Sequence, residues 1–321
     1  MLRKCLIFCA LMGIVFGCSK KKPTPPDTPP EVPGPSTTST PKPNSASLPS
    51  SFTLKIRDEQ VGDKSSVTEV KGDSTVTTFT VAGISGLKPD TKKTVEKSEY
   101  TEAVLSLSPG EIFPTKFTRE YKNAEFKKGN EASKPTSYSG KTVSFEKTFG
   151  HYSVLLGKNS LPVDEDQRFR ESLERLDKIK YSEMVPTTPV KLNEPWYLNS
   201  VLVDRMGKVM GYPPSEGKSQ ASGKLTDVYT KAGKLWGRIE FKYGYVIAGT
   251  YLLDPKVQIT VTLNGTITQV WTVDVVVDGS SNEAITKRKS YGTIEMKGKE
   301  LEISGTITLD KDFAETRAPL K

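Results

Sequence analysis

From Ser51 onward, apolar side chains fall on alternate positions in segment after segment, and a chain patterned in this way folds into half-buried antiparallel strands. SFTLKIR sets Phe52, Leu54 and Ile56 on one face, and STVTTFTV carries Phe79 and Val81. In KTVEKSEYTEAVLSL the second half places Ala103, Leu105 and Leu107 together. Phe113, Phe117 and Tyr121 share a face of extended chain, because Pro109 and Pro114 argue against a helix there. KTVSF and HYSVLL add Val143, Phe145, Tyr152, Val154 and Leu156.

Two segments keep helical time instead. VDEDQRFRESLERLDKIKY, Val163 to Tyr181, has acidic residues in its first turn and Phe169, Leu173, Leu176 and Ile179 at spacings of three and four. NEPWYLNSVLVDRMGKVMGYPP offers Asn193 as N-cap, Pro195 in the first turn, and a stripe of Leu198, Val201, Leu202, Met206, Val209 and Met210 that stops at Gly211 before Pro213 and Pro214. The fold class this predicts is α+β and β-dominated: curved antiparallel sheet with two amphipathic helices packed on one face. Its globular region is 51–321, divisible into halves 51–160 and 186–321 joined by the helix at 163–181.

Turn chemistry sets the expected registers. Lys231-Ala232-Gly233 reads as a three-residue loop pairing Tyr229 with Leu235 and Leu225 with Ile239. In KVQITVTLNGTITQVWTVDVVV, Asn264-Gly265 reads as a hairpin with Gly265 in the left-handed region, and a further hairpin is expected around Lys297-Gly298.

The start of the chain is of a different kind. Arg3 and Lys4 precede an uncharged apolar run from Cys5 to Gly17, too short for the ~20 residues of a membrane-spanning helix and characteristic of a signal peptide, residues 1–17. Val15, Gly17 and Cys18 fit a lipobox, so Cys18 is expected to become the first mature residue and to carry acyl chains. Each buried CH₂ of those chains contributes about 0.8 kcal/mol to anchorage. Ser19, where an inner-membrane retention signal has Asp, points to the outer membrane in preference to the inner. Residues 18–50 contain ten of the 22 prolines amid Ser, Thr and Lys, the composition of a disordered tether.

The three cysteines all lie at or before Cys18, so the mature chain has no second cysteine for a disulfide and no set for a cysteine metal site. Half of the net charge of +8 lies in the first fifty residues, where Arg3, Lys4, Lys20, Lys21, Lys22 and Lys42 face only Asp27 and Glu31. What remains is nearly balanced, and no basic face with interleaved aromatics marks a nucleic-acid binder. His151 is the only histidine and no GxSxG elbow accompanies it. GYPPSEGKS encloses five residues between Gly211 and Gly217 where a phosphate loop has four. No pair of carboxylates is singled out for glycoside hydrolysis, so no catalytic residue, metal ligand or cofactor is assigned.

The remaining chemistry is apolar. Trp196, Trp236 and Trp271, with Leu202, Met206 and Met210, form either ordinary core or the lining of a ligand cavity between helix and curved sheet. The expected function is therefore a non-catalytic envelope lipoprotein binding an apolar ligand in a half-barrel. The alternatives are a structural or protein-interaction module of the envelope and a carboxylate-based hydrolase. The partners this implies are membrane lipid through Cys18 and an apolar ligand or envelope protein.

Several phrases in order, IRDEQVGD near Ile56, FTREYKNA near Phe117, GKTVSFEK from Gly140, PTTPVKLNEPW, GKLTDVYTKAGKLWGRIEF and VDGSS at Val277, together with the lipobox and proline tether, resemble a group of secreted proteins and lipoproteins of planctomycete-like bacteria. The resemblance spans most of Ser51 to Gly298. It implies an envelope location and a β-rich domain, and supplies no activity or catalytic residue.

Overall fold

The structure, a computed structural model, describes residues 49–81, 88–176, 180–208, 218–254, 259–298 and 303–320. Ser51–Lys321 forms one unit, α+β and β-dominated, built on a single curved antiparallel sheet. Its strands are β1 (Lys64–Val81), β2 (Asp90–Ser106), β3 (Lys116–Lys128), β4 (Lys134–Pro135), β5 (Thr142–Thr148), β6 (His151–Leu156), β7 (Asn159–Ser160), β8 (Pro195–Tyr197), β9 (Gln220–Lys231), β10 (Lys234–Asp254), β11 (Ile259–Val276), β12 (Ala284–Gly298) and β13 (Ile303–Pro319). Helix α1 spans Val163–Leu176, helix α2 Ser200–Lys208, and a 3₁₀ turn Tyr181–Met184 lies between them.

The strand order is β7-β6-β5-β3-β2-β1-β13-β12-β11-β10-β9-β8, with β4 beside β3. Each half is a meander, and the first and last long strands meet mid-sheet, paired from Ser65↔Pro319 to Val81↔Ile303. The chain between β7 and β8 therefore leaves one edge of the sheet and re-enters at the other. Both edges end in strands of two or three residues, which present little unpaired backbone for edge-to-edge association.

Following the register across the sheet, Tyr121 sits opposite Tyr100, Tyr100 opposite Val67, Val67 opposite Arg317, Arg317 opposite Ala284 and Ala284 opposite Val275. These residues share the face that the helices cover. Under α1, Phe169 and Leu173 pack on Tyr121, Tyr138, Phe145 and Val154, and Phe117 stacks on Phe145 with ring centroids 4.5 Å apart. Under α2, Leu202, Val203 and Met206 are buried with Leu225, Ile239, Phe241, Tyr243 and Tyr245. Gly207 of α2 lies where any Cβ would meet the Tyr245 ring at 2.8 Å.

Several local expectations give way. Asn264-Gly265 is no turn, since β11 runs straight through it. A Cβ on Gly265 would stand 2.4 Å from the Thr293 carbonyl oxygen, and one on Gly292 2.3 Å from that of Thr266, so these glycines let β11 and β12 approach. The loop joining β9 to β10 has two residues, Ala232 and Gly233, both with positive φ. Tyr229 then faces Trp236 in place of Leu235, and a bulge at Arg238/Ile239 restores the expected Leu225↔Ile239 pair. Asn193 caps nothing. Pro195–Tyr197 is strand β8, and Asn199 accepts from the Leu202 N–H at 2.8 Å to start α2. SFTLKIR is extended chain tied down by single bridges, Phe52↔Val190 and Lys55↔Asp278. The hairpin tip between β12 and β13 and the predicted helical positions Ile179, Val209 and Met210 lie outside the described residues.

Candidate functional site

The largest departure from the sequence pattern lies at the centre of the covered face. In β2 the buried set is Tyr100, Glu102 and Val104, while Leu105 is exposed; this is the opposite face from the Ala103, Leu105 and Leu107 set expected. A carboxylate faces the interior there because two arginines meet it. Arg119 Nε donates to Glu102 Oε2 at 2.8 Å from β3, and Arg317 Nη1 donates to Glu102 Oε1 at 2.8 Å from β13. Arg317 also binds Glu59 and lies 3.6 Å from Glu315 Oε1, while Lys71 pairs with Glu69 at 2.7 Å. The Arg119 guanidinium lies 4.7 Å from the centroid of the Tyr100 ring and 5.4 Å from that of Phe117.

The result is a charged seam between two apolar cores. Arg119, Arg317 and Lys71 stand against Glu59, Glu69, Glu102 and Glu315, and Ser65, Ser98, Thr286 and Ser290 on the same face are buried polar neighbours. Two pieces of chain lie over it. Residues Phe52 to Asp63 are held at one end by paired backbone hydrogen bonds to Val190 and at the other by Gly62 to Val104, with Arg57 gripping Asp63 through two bonds of 2.7 and 2.9 Å. From the crossing connection, Tyr181 shares a hydrogen bond with Thr286, and Ser182 donates to Asp58 at 2.7 Å. Arg288 stacks over Phe313, 4.9 Å from the ring centroid. A void of about 20 Å³ between Glu69, Lys71, Arg119 and Tyr121 has room for little more than a water.

Protonation within the seam is uneven. Burial pushes Glu59 up to about 7, aided by like charge on Glu102 and Glu315 and partly offset by Arg317. For Glu102 burial also opposes ionisation, but Arg317 and Arg119 overcome it and hold the carboxyl at about 2. Glu315 is raised by burial, against the pull of Arg317. A carboxyl raised on folding makes the native state hold a proton that the unfolded chain releases. The Glu59 contribution is thus full below the unfolded value near 4.5 and is lost as pH rises through about 7. Glu102 acts oppositely, losing its contribution as pH falls from 4.5 toward 2. Urea midpoints are expected to fall between pH 5 and pH 8, and Glu59→Gln, neutral throughout, should flatten that fall. An identical pH response in wild type and variant would show that Glu59 is already ionised at pH 5.

Five of the six residues nominated for an apolar cavity lie among the described residues. Leu202 and Met206 are buried in α2, and Trp271 lies on the covered face of β11 near Phe241, 6.3 Å between ring centroids. Trp196 covers Gly223 from β8, donates to the Met184 carbonyl at 2.9 Å, and meets Phe241 edge-on. Trp236 points to the opposite face of β10, where it stacks on Tyr229. Met210 and Cys18 lie outside the described residues. The void beside Glu69 and the cavity beside the β5–β6 hairpin are lined by none of Trp196, Leu202, Met206, Trp236 and Trp271.

The larger cavity, about 270 Å³, is polar. It lies between the β2–β3 connection and the β5–β6 hairpin and is lined by Ser106, Ser108, Glu111, Thr115, Lys116, Glu146 and Lys147, with Phe149 and Gly150 at its side. Among the described residues no group of three or more His, Cys, Asp and Glu side chains is placed to hold a metal, and no helix is long and apolar enough to cross a membrane.

No family model and no curated protein matches the chain. Among solved structures, OpdQ of Pseudomonas aeruginosa is 5% identical, with 80% of this chain and 98% of that one covered, at a TM-score of 0.18, the level of unrelated folds.

Proposed function

We propose that this chain is an exported lipoprotein, held at the outer membrane through acylated Cys18, whose β-rich region serves the cell envelope as a non-catalytic interaction module. Val15, Gly17 and Cys18, followed by the proline-rich stretch, support the anchor and the reach. The observation that carries the interaction reading over an apolar-ligand carrier is the packing at α2. Leu202 and Met206 are 1% and 3% exposed, and Val203 and Gly207 of the same helix meet Tyr243 and Tyr245 of β10, where a carrier would keep open space. Glu102 of β2 and Glu59 of the covering segment are both bound to Arg317, an arrangement suited to tying that segment to the sheet and poorly suited to admitting a substrate.

Metabolic labelling with a fatty acid tests the anchor. Wild type is expected to take up label and Cys18→Ser to take up none; an unlabelled wild type removes the lipoprotein reading. Titration of the chain from Ser19 with a fluorescent fatty acid tests the module. No saturable binding is expected, and saturable binding weakened by Met206→Ala restores the carrier.

A further inference from the structure

We propose that the cavity beside the β5–β6 hairpin is a saccharide site with Phe149 as its stacking platform, a proposal that rests on the interaction reading above and names its ligand class. Phe149 and Gly150 form a two-residue turn, both with positive φ, 51° and 84°, between the paired residues Thr148 and His151. Such a turn takes Asn, Asp or Gly at its first position because a bulky side chain is strained there. The equivalent turn at Ala232-Gly233 uses a small residue at the same φ of 51°. Phe149, moreover, gains nothing by burial, since its side chain is fully exposed. A large apolar side chain thus occupies a strained and solvated position, and folding accounts for neither.

What lies beside the ring defines the ligand. Ser108 Oγ, Thr115 Oγ1 and Ser106 Oγ form a chain of hydroxyls at 3.4 and 3.2 Å. Lys147 donates to Glu111 at 2.6 Å, and Lys116 lies 3.3 Å from Glu146. The Thr115 and Lys147 backbone N–H groups already donate within the protein, to Ser106 and Thr115, so recognition falls to side chains. Two cations balanced by two carboxylates give the cavity no net charge, which disfavours a phosphate, a nucleic acid strand or an anionic lipid head. A wall of hydroxyls and paired charges disfavours an acyl chain. A neutral polyhydroxylated ring satisfies both: its hydroxyls exchange hydrogen bonds with the serines, threonine and ion-paired groups, and its C–H face packs on the negative face of the phenyl ring. The volume, about 270 Å³, is at the small end for ligand sites and suits one sugar unit of a longer chain.

Phe149→Asn tests this without threatening the fold, because Asn suits the turn better than Phe. The chain from Ser19 would be titrated, by heteronuclear NMR, with soluble neutral oligosaccharides built from glucose, mannose, galactose and N-acetylglucosamine. At least one is expected to shift the resonances of Ser106, Ser108 and Phe149, with affinity at least tenfold weaker in Phe149→Asn and retained in Phe149→Tyr. Melting of Phe149→Asn should come no lower than wild type. Absence of binding by every oligosaccharide, or equal binding by wild type and Phe149→Asn, overturns the proposal. A lower melting temperature for Phe149→Asn also overturns it, since Phe149 would then be structural. Failure here with no fatty acid bound leaves the interaction reading standing, whereas saturable fatty-acid binding weakened by Met206→Ala removes that reading itself.

Discussion

Replacing Arg317 with Met is expected to destabilise the protein by about 3–5 kcal/mol, the usual cost of removing one partner from a buried ion pair. Arg317 sits on β13, between β1 and β12 at the middle of the sheet, and pairs with Glu59, Glu102 and Glu315 together. Without it Glu102 keeps its bond to Arg119, whereas Glu59 and Glu315 face each other's charge with only the more distant pull of Arg119 against it. Arg317→Lys should recover little, because a single ammonium cannot reproduce the fork by which Nη1 serves two carboxylates and Nε faces a third. Urea unfolding at pH 7 measures the loss. Adding Glu102→Gln to Arg317→Met should return part of it, and that coupling separates an electrostatic role from lost packing. A cost under about 1 kcal/mol for Arg317→Met, the range of solvated surface pairs, would show that the seam is wet.

The sheet, its antiparallel sense and both helices were legible because burial on one face forces the period: Phe117 and Tyr121, Val143 and Phe145, and Tyr152 and Val154 all face inward as their spacing requires. The seam was harder to see, although its signal is present. Arg119 lies between Phe117 and Tyr121 on the apolar parity of β3, and Glu315 and Arg317 continue the parity of Phe313 on β13. A charged residue on a core-facing position needs a partner, and the partner is on another strand, close in space and distant in sequence. Alternation read one strand at a time instead selected Ala103 and Leu105 as the inner face of β2. Gly265 misled for a related reason, since its constraint is the approach of β12, which Asn-Gly adjacency does not reveal. Phe149 was invisible, because a turn with Phe at its first position breaks the rule by which such turns are recognised.

The second large effect is expected at α2. Leu202→Ala and Met206→Ala should each cost about 2–5 kcal/mol, since both side chains are almost wholly buried and shortening either leaves a cavity that a helix of nine residues, pinned by Asn199 at its start, cannot easily close. Val201, on the same helix and 68% exposed, supplies the internal control; Val201→Ala should stay within about 0.5 kcal/mol. The contrast discriminates between the two roles open to this helix. Side chains that line an open cavity already lack neighbours on one side, so truncation removes fewer contacts and costs less. Small effects at both buried positions, together with saturable binding of a fluorescent fatty acid by the wild type, would mean that α2 is a cavity wall and that the chain carries an apolar ligand. Full-sized effects with no binding mean that α2 closes the core over β10 and keeps no apolar ligand beneath it.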